Sequence, residues 1–96
     1  MLVMILKRVT PALRGELSRW LLEPQAGVFV GDVSARVRDK LWIKCKERKR
    51  GGAVLQVWTT DNEQGFRMRL EGDLGREIVE ADGLQLIRKP KATAQE

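Results

Sequence analysis

Arg36, Arg38 and Lys40 follow directly on the run Ala26-Gly27-Val28-Phe29-Val30-Gly31-Asp32-Val33-Ser34-Ala35, in which a glycine-bounded apolar strand hands to a helix with Ser34 as its cap. A helix start presents unpaired backbone N–H groups and a partial positive charge, and arginines there add donors of the same sign, a combination that suits a phosphate. Arg14, early in the chain next to Gly15, and Arg76, in a polar loop, add cations where phosphate oxygens can reach them. The plainer alternative is that Ser34 only caps and the arginines are solvated. The charge distribution favours the first reading. Arg36, Arg38, Lys40, Lys44, Lys46, Arg48, Lys49 and Arg50 crowd one stretch of a chain whose 18 lysines and arginines face 13 acids, and Asp39 and Glu47 dilute it only slightly. A local excess of this kind points to a polyanion, above all nucleic acid.

Other chemistry is scarce. Histidine is absent, so a serine or cysteine nucleophile has no imidazole base and no histidine metal site can form. A carboxylate-based metal phosphodiesterase would have to use Asp32 and Asp61, and neither has an acid close by with which to share an ion. Asp32 precedes a helix start and Asp61 heads a turn, where aspartate has structural reasons to be. The single Cys45 falls on an apolar helical stripe and reads as a small core residue in a reducing, cytoplasmic setting. These residues assign no catalytic group, metal ligand or cofactor. Trp20, Trp42 and Trp58 fall on apolar stripes and leave no aromatic series for base stacking, so contacts to backbone phosphates are expected.

The elements that must carry these groups are legible from pattern. Leu2 to Leu6 is an unbroken apolar run and reads as a central strand buried on both faces. Thr10-Pro11 starts a helix expected from about Pro11 to Glu23, with Leu13, Leu17, Trp20 and Leu21 forming its stripe and Arg14 at the stripe's edge. A strand over Gly27–Val33 leads into a second helix of about thirteen residues, with Val37, Leu41, Trp42 and Cys45 inward. Ala53–Thr60 and the alternating Phe66–Glu71 flank an Asp61–Gly65 turn and make a hairpin whose second strand has one wet face. Leu84-Gln85-Leu86-Ile87 is a terminal strand that needs an edge to pair with, such as one from a second copy. The Met1–Leu6 run is too short for a secretory signal, and no apolar run nears the roughly 20 residues of a membrane span. The order of elements predicts one α+β domain over residues 1–88, a ferredoxin-like sandwich with an antiparallel sheet and two helices on one face, followed by a flexible tail over 89–96.

The segments Pro11-Ala12-Leu13-Arg14-Gly15, Trp20-Leu21-Leu22-Glu23, Ala26 through Arg36, Gly65-Phe66 and Asp82-Gly83-Leu84 resemble the second CRISPR-associated protein of type I-E systems, over nearly the whole chain. The resemblance implies a homodimer bridging two dimers of the integrase subunit, the first CRISPR-associated protein, in spacer acquisition. In that role it is a non-catalytic scaffold that holds a prespacer DNA duplex by its backbone. It also implies duplex contacts at Arg14, Arg36 and Arg76, to which the charge pattern itself adds Arg38 and Lys40. Ala12 and Gly75 stand where relatives can carry arginine. A docking strand at about residues 84–88 would engage the integrase through Leu84, Leu86 and Ile87.

Two alternatives predict different partners. Members of the family are described as magnesium-dependent endoribonucleases or DNases with a carboxylate ending the first strand, where this chain has Lys7-Arg8, two cations that would repel the metal. A small basic RNA-binding α+β domain, independent of the family, would prefer single-stranded or structured RNA over duplex DNA.

Overall fold

The computed structural model describes residues 1–48 and 51–90; Lys49 and Arg50 of the basic stretch, and residues 91–96 of the expected tail, lie outside the described residues. The elements run β1 (Leu2–Lys7), α1 (Pro11–Ser18), β2 (Leu22–Gln25), β3 (Val28–Gly31), α2 (Ala35–Glu47), β4 (Ala53–Thr59), β5 (Phe66–Gly72), β6 (Glu77–Ala81) and β7 (Leu84–Arg88). Five strands form one antiparallel sheet in the order β2-β3-β1-β4-β5, compatible with a ferredoxin-like sandwich to which β5 adds an edge.

Register explains where the core sits. Met4 is opposite both Phe29 and Gln56, and Leu6 is opposite Val54, so alternate residues of three strands share one face. Leu13 and Leu17 of α1 and Leu41 and Cys45 of α2 close that face into one cluster. Both caps form as the sequence predicts: Leu13 N donates to Thr10 Oγ1 and Val37 N to Ser34 Oγ, each at 3.2 Å.

Four expectations need correction. The first helix ends at Ser18 rather than near Glu23, because Trp20 N and Leu21 N both turn back onto the carbonyl of Leu17. Leu21 still reaches the core, but Trp20 is left 44% exposed. The residues after it become β2, which turns into β3 through Gly27 at φ +81°, where a Cβ would lie 2.6 Å from the Leu6 carbonyl oxygen. The predicted strand over Gly27–Val33 is correspondingly shorter, Val28–Gly31.

The other two corrections concern burial and pairing. β1 is central but closed on one side only: Leu2, Met4 and Leu6 are buried, whereas Val3 and Ile5 are half-buried. The terminal strand, expected to lack an edge, pairs with β6 of its own chain from Glu77↔Arg88 to Ala81↔Leu84. The tight link between these strands is Asp82-Gly83, both at positive φ, the backbone of a two-residue hairpin turn.

Candidate nucleic-acid interface

The α2 flank is built from side chains that grip one another. Trp42 of α2 and Trp58 of β4 receive Arg69 of β5 between them, its guanidinium carbon 4.7 Å from one ring centre and 5.0 Å from the other. Arg38 covers Trp58 at 4.5 Å, and Lys46 stands 5.9 Å over Trp42. Asp39 ties the arginines together, its Oδ1 accepting from Arg38 Nε at 3.1 Å and from an Arg69 Nη at 2.8 Å. Those bonds hold its carboxyl below the usual aspartate range, that from Arg38 contributing most.

Gln56 explains how β5 reaches the helix. It is fully buried, its Oε1 accepting from Arg69 Nε at 2.8 Å and its Nε2 donating to the Arg38 carbonyl at 2.9 Å and the Met4 sulfur at 3.6 Å. A buried carboxamide with every polar atom satisfied thus joins three elements. The alternation of β5 is as predicted, but its charged face turns toward the helices at the sheet edge, since Arg69 is opposite Gln56 and Arg67 opposite Trp58.

The predicted site residues fall into separate neighbourhoods. Arg36 and Lys40 are exposed on α2, each two residues from Arg38 and so on a different side of the helix from its cluster. Arg14 lies elsewhere, its Nε 3.0 and 3.1 Å from the two oxygens of Glu23, whose carboxylate also accepts from Gly27 N at 2.9 Å. The Gly27 bond, chiefly, lowers the Glu23 pKa, with Arg14 adding to it. Arg76 is exposed, donates to the Gly75 carbonyl and edges a cavity of about 390 Å³ against the helix-free side of the sheet. Ile5, Leu55, Leu70, Leu74 and Ile87 line that cavity with it.

Of the predicted docking residues, Ile87 faces this cavity, while Leu84 and Leu86, one register apart on β7, are exposed with it at 39, 46 and 45%. Gln85 between them is buried and fastens the hairpin: its side chain bonds both N and O of Met68, and Gln64 returns the same pair of bonds to the Gln85 backbone.

Three acidic or nucleophilic candidates resolve locally. Asp32 pairs with the Met1 ammonium at 2.9 Å and is otherwise exposed, Asp61 is exposed in its turn, and Cys45 is buried with its thiol pushed up to about 12 by desolvation. Among the described residues no three of Cys, Asp and Glu converge as an ion-binding group. At the end of β1, Lys7 and Arg8 are exposed, and Arg8 adopts φ +65°.

A family model described as CRISPR-associated protein (Cas_Cas2CT1978) matches residues 1–86. The chain belongs to that CRISPR-associated family. The matched span takes in both helices, the whole five-stranded sheet and most of the β6–β7 hairpin, so the basic flank and the clamped hairpin both belong to the family domain. The membership gives the chain a CRISPR-related role. No helix among the described residues is long and apolar enough to cross a membrane.

The Arg69 and Gln56 contributions were not read from the sequence. Their signal was a glutamine interrupting the apolar run Ala53-Val54-Leu55-Gln56-Val57-Trp58, a polar residue at a core-facing position that must find partners.

Proposed function

We propose that the protein is the adaptation subunit of a type I-E CRISPR system: a homodimeric, non-catalytic scaffold that bridges integrase dimers and holds a prespacer DNA duplex through its phosphates. The observation that carries this reading is the occupancy of the tryptophan faces. Trp58 and Trp42 are covered by Arg38, Arg69 and Lys46, so their rings stack on the protein's own cations rather than on bases. What the flank offers a ligand is guanidinium and ammonium charge, and Arg36 and Lys40 on another side of α2, with Arg14 and Arg76, are the further contacts.

The homodimer rests on the other face of the sheet. Val3, Ile5, Leu55, Val57 and Leu70 share the side that carries no helix and remain half-buried, an apolar surface suited to the same surface of a second copy. Leu84, Leu86 and Ile87 are the proposed integrase contacts. No cofactor is needed for holding DNA; magnesium enters only if the family's nuclease activity operates here, and Lys7 and Arg8 at the end of β1 oppose a divalent ion.

Size-exclusion chromatography of the protein with its candidate integrase and a short duplex, beside a magnesium-dependent nuclease assay on the protein alone, tests the proposal. A ternary peak without cleavage supports the scaffold. Cleavage abolished by removing Asp32 or Asp61 would establish the nuclease, and preference for single-stranded RNA would establish the RNA-binding alternative.

A further inference from the structure

We infer that Asp39 and Arg69 are positioning residues for Arg38, holding it in one pose from which its terminal nitrogens meet a phosphate; the inference rests on the phosphate-holding function proposed above. A free surface arginine sweeps many rotamers, and fixing it on contact costs side-chain entropy. Arg38 is fixed beforehand. Its guanidinium carbon lies over Trp58, and its Nε is taken by Asp39. Among the described residues its two Nη groups have no hydrogen-bond partner, so their donors are uncommitted, and the side chain keeps 21% of its surface exposed.

Arg69 is the brace behind this arrangement. It also lies over Trp58, 5.0 Å from the ring centre, bonds the same Asp39 oxygen as Arg38, and is itself set by buried Gln56, which also holds the Arg38 main-chain carbonyl. Side chain and backbone of Arg38 are therefore both referred to the sheet. Two guanidinium groups brought to one carboxylate oxygen repel each other, and Asp39 offsets that repulsion.

Replacing Asp39 separates positioning from bulk charge. The side chain is exposed on a helix, so Asp39→Ala is compatible with the fold, and it raises the net charge by one. Bulk electrostatics alone would make duplex binding tighter. Positioning requires it to become weaker, by about tenfold, with the salt slope reduced by about one as Arg38 drops out. Arg69→Lys keeps the charge but loses the planar fork that bonds Gln56 through Nε and Asp39 through Nη at once, and it should weaken binding similarly.

The deciding measurement is duplex DNA affinity against salt for the wild type, Asp39→Ala, Arg69→Lys, Arg38→Ala and the doubles with Arg38→Ala, each checked by thermal melting. Once Arg38 is gone, Asp39→Ala and Arg69→Lys should cost no more than about twofold further. Tighter binding by Asp39→Ala, or full additivity of Arg69→Lys with Arg38→Ala, would overturn the positioning role while leaving phosphate binding intact. A wild type with no salt-dependent duplex affinity would instead overturn the underlying function, and the inference with it.

Discussion

The two sides of the sheet handle their surplus groups in opposite ways. On the helix side, charged and polar side chains are tied to one another: Asp39 accepts from Arg38 and Arg69 beside Trp58, and Gln56 accepts from Arg69. On the helix-free side, Val3, Ile5, Leu55 and Val57 are merely half-covered, and the β6–β7 hairpin reaches them at one end over a cavity. The difference matches the two jobs proposed for the protein. A fixed array of cations suits a rigid polyanion, and uncommitted apolar surface suits a protein partner.

The largest expected effect breaks the helix side. Phe29→Ala, at a fully buried position, should lower unfolding free energy by about 3–5 kcal/mol in chemical denaturation, and do so without favouring monomer over dimer in the folded population. Leu55→Lys should do the reverse. It places a charge on the open face twice in a symmetric pair and should weaken self-association by about a hundredfold in sedimentation equilibrium, leaving the monomer folded. Unchanged association would place the dimer elsewhere.

Smaller effects sharpen the boundary between the sides. Gln85→Ala strips partners from both N and O of Met68 and should cost about 1–3 kcal/mol, with faster amide exchange at Met68 and little change at Leu41. Equal exchange in wild type and variant would mean that the clamp does not hold the hairpin.

How far the sequence reached follows the same division. Local signals were readable: Thr10-Pro11 and Ser34 cap helices, and alternation in Phe66–Glu71 marks β5. What was missed depended on tertiary context. Leu22–Gln25 carries a proline and looks like a helix end, yet becomes a strand because β3 offers it an edge. β6 has an ordinary polar composition and exists because an Asp82-Gly83 turn folds β7 back onto it. Among the candidate site residues, arginine positions were legible, but Arg14's engagement by Glu23 and Arg38's by Asp39 are contacts that only the fold creates.

The smallest effect concerns Arg14. Its Glu23 partner has a lowered pKa, so that contribution to stability is present above the ordinary glutamate range and is lost as pH falls through the folded value; Glu16, lowered chiefly by its bond from Lys44, acts in the same direction. Glu23→Gln should therefore flatten the acid limb of a stability–pH profile and, by releasing Arg14, modestly strengthen duplex binding. An unaltered acid limb would show that the pair contributes nothing to folding.

The most direct test of the central claim is the affinity for a DNA duplex measured between about 50 and 200 mM salt, alongside single-stranded DNA and RNA of equal length. Holding DNA by its phosphates requires a straight log–log fall of several powers, the duplex bound best, and a shallower line for the combined Arg36→Ala, Arg38→Ala and Arg76→Ala variant. A flat salt response, or preference for single strands, would contradict it.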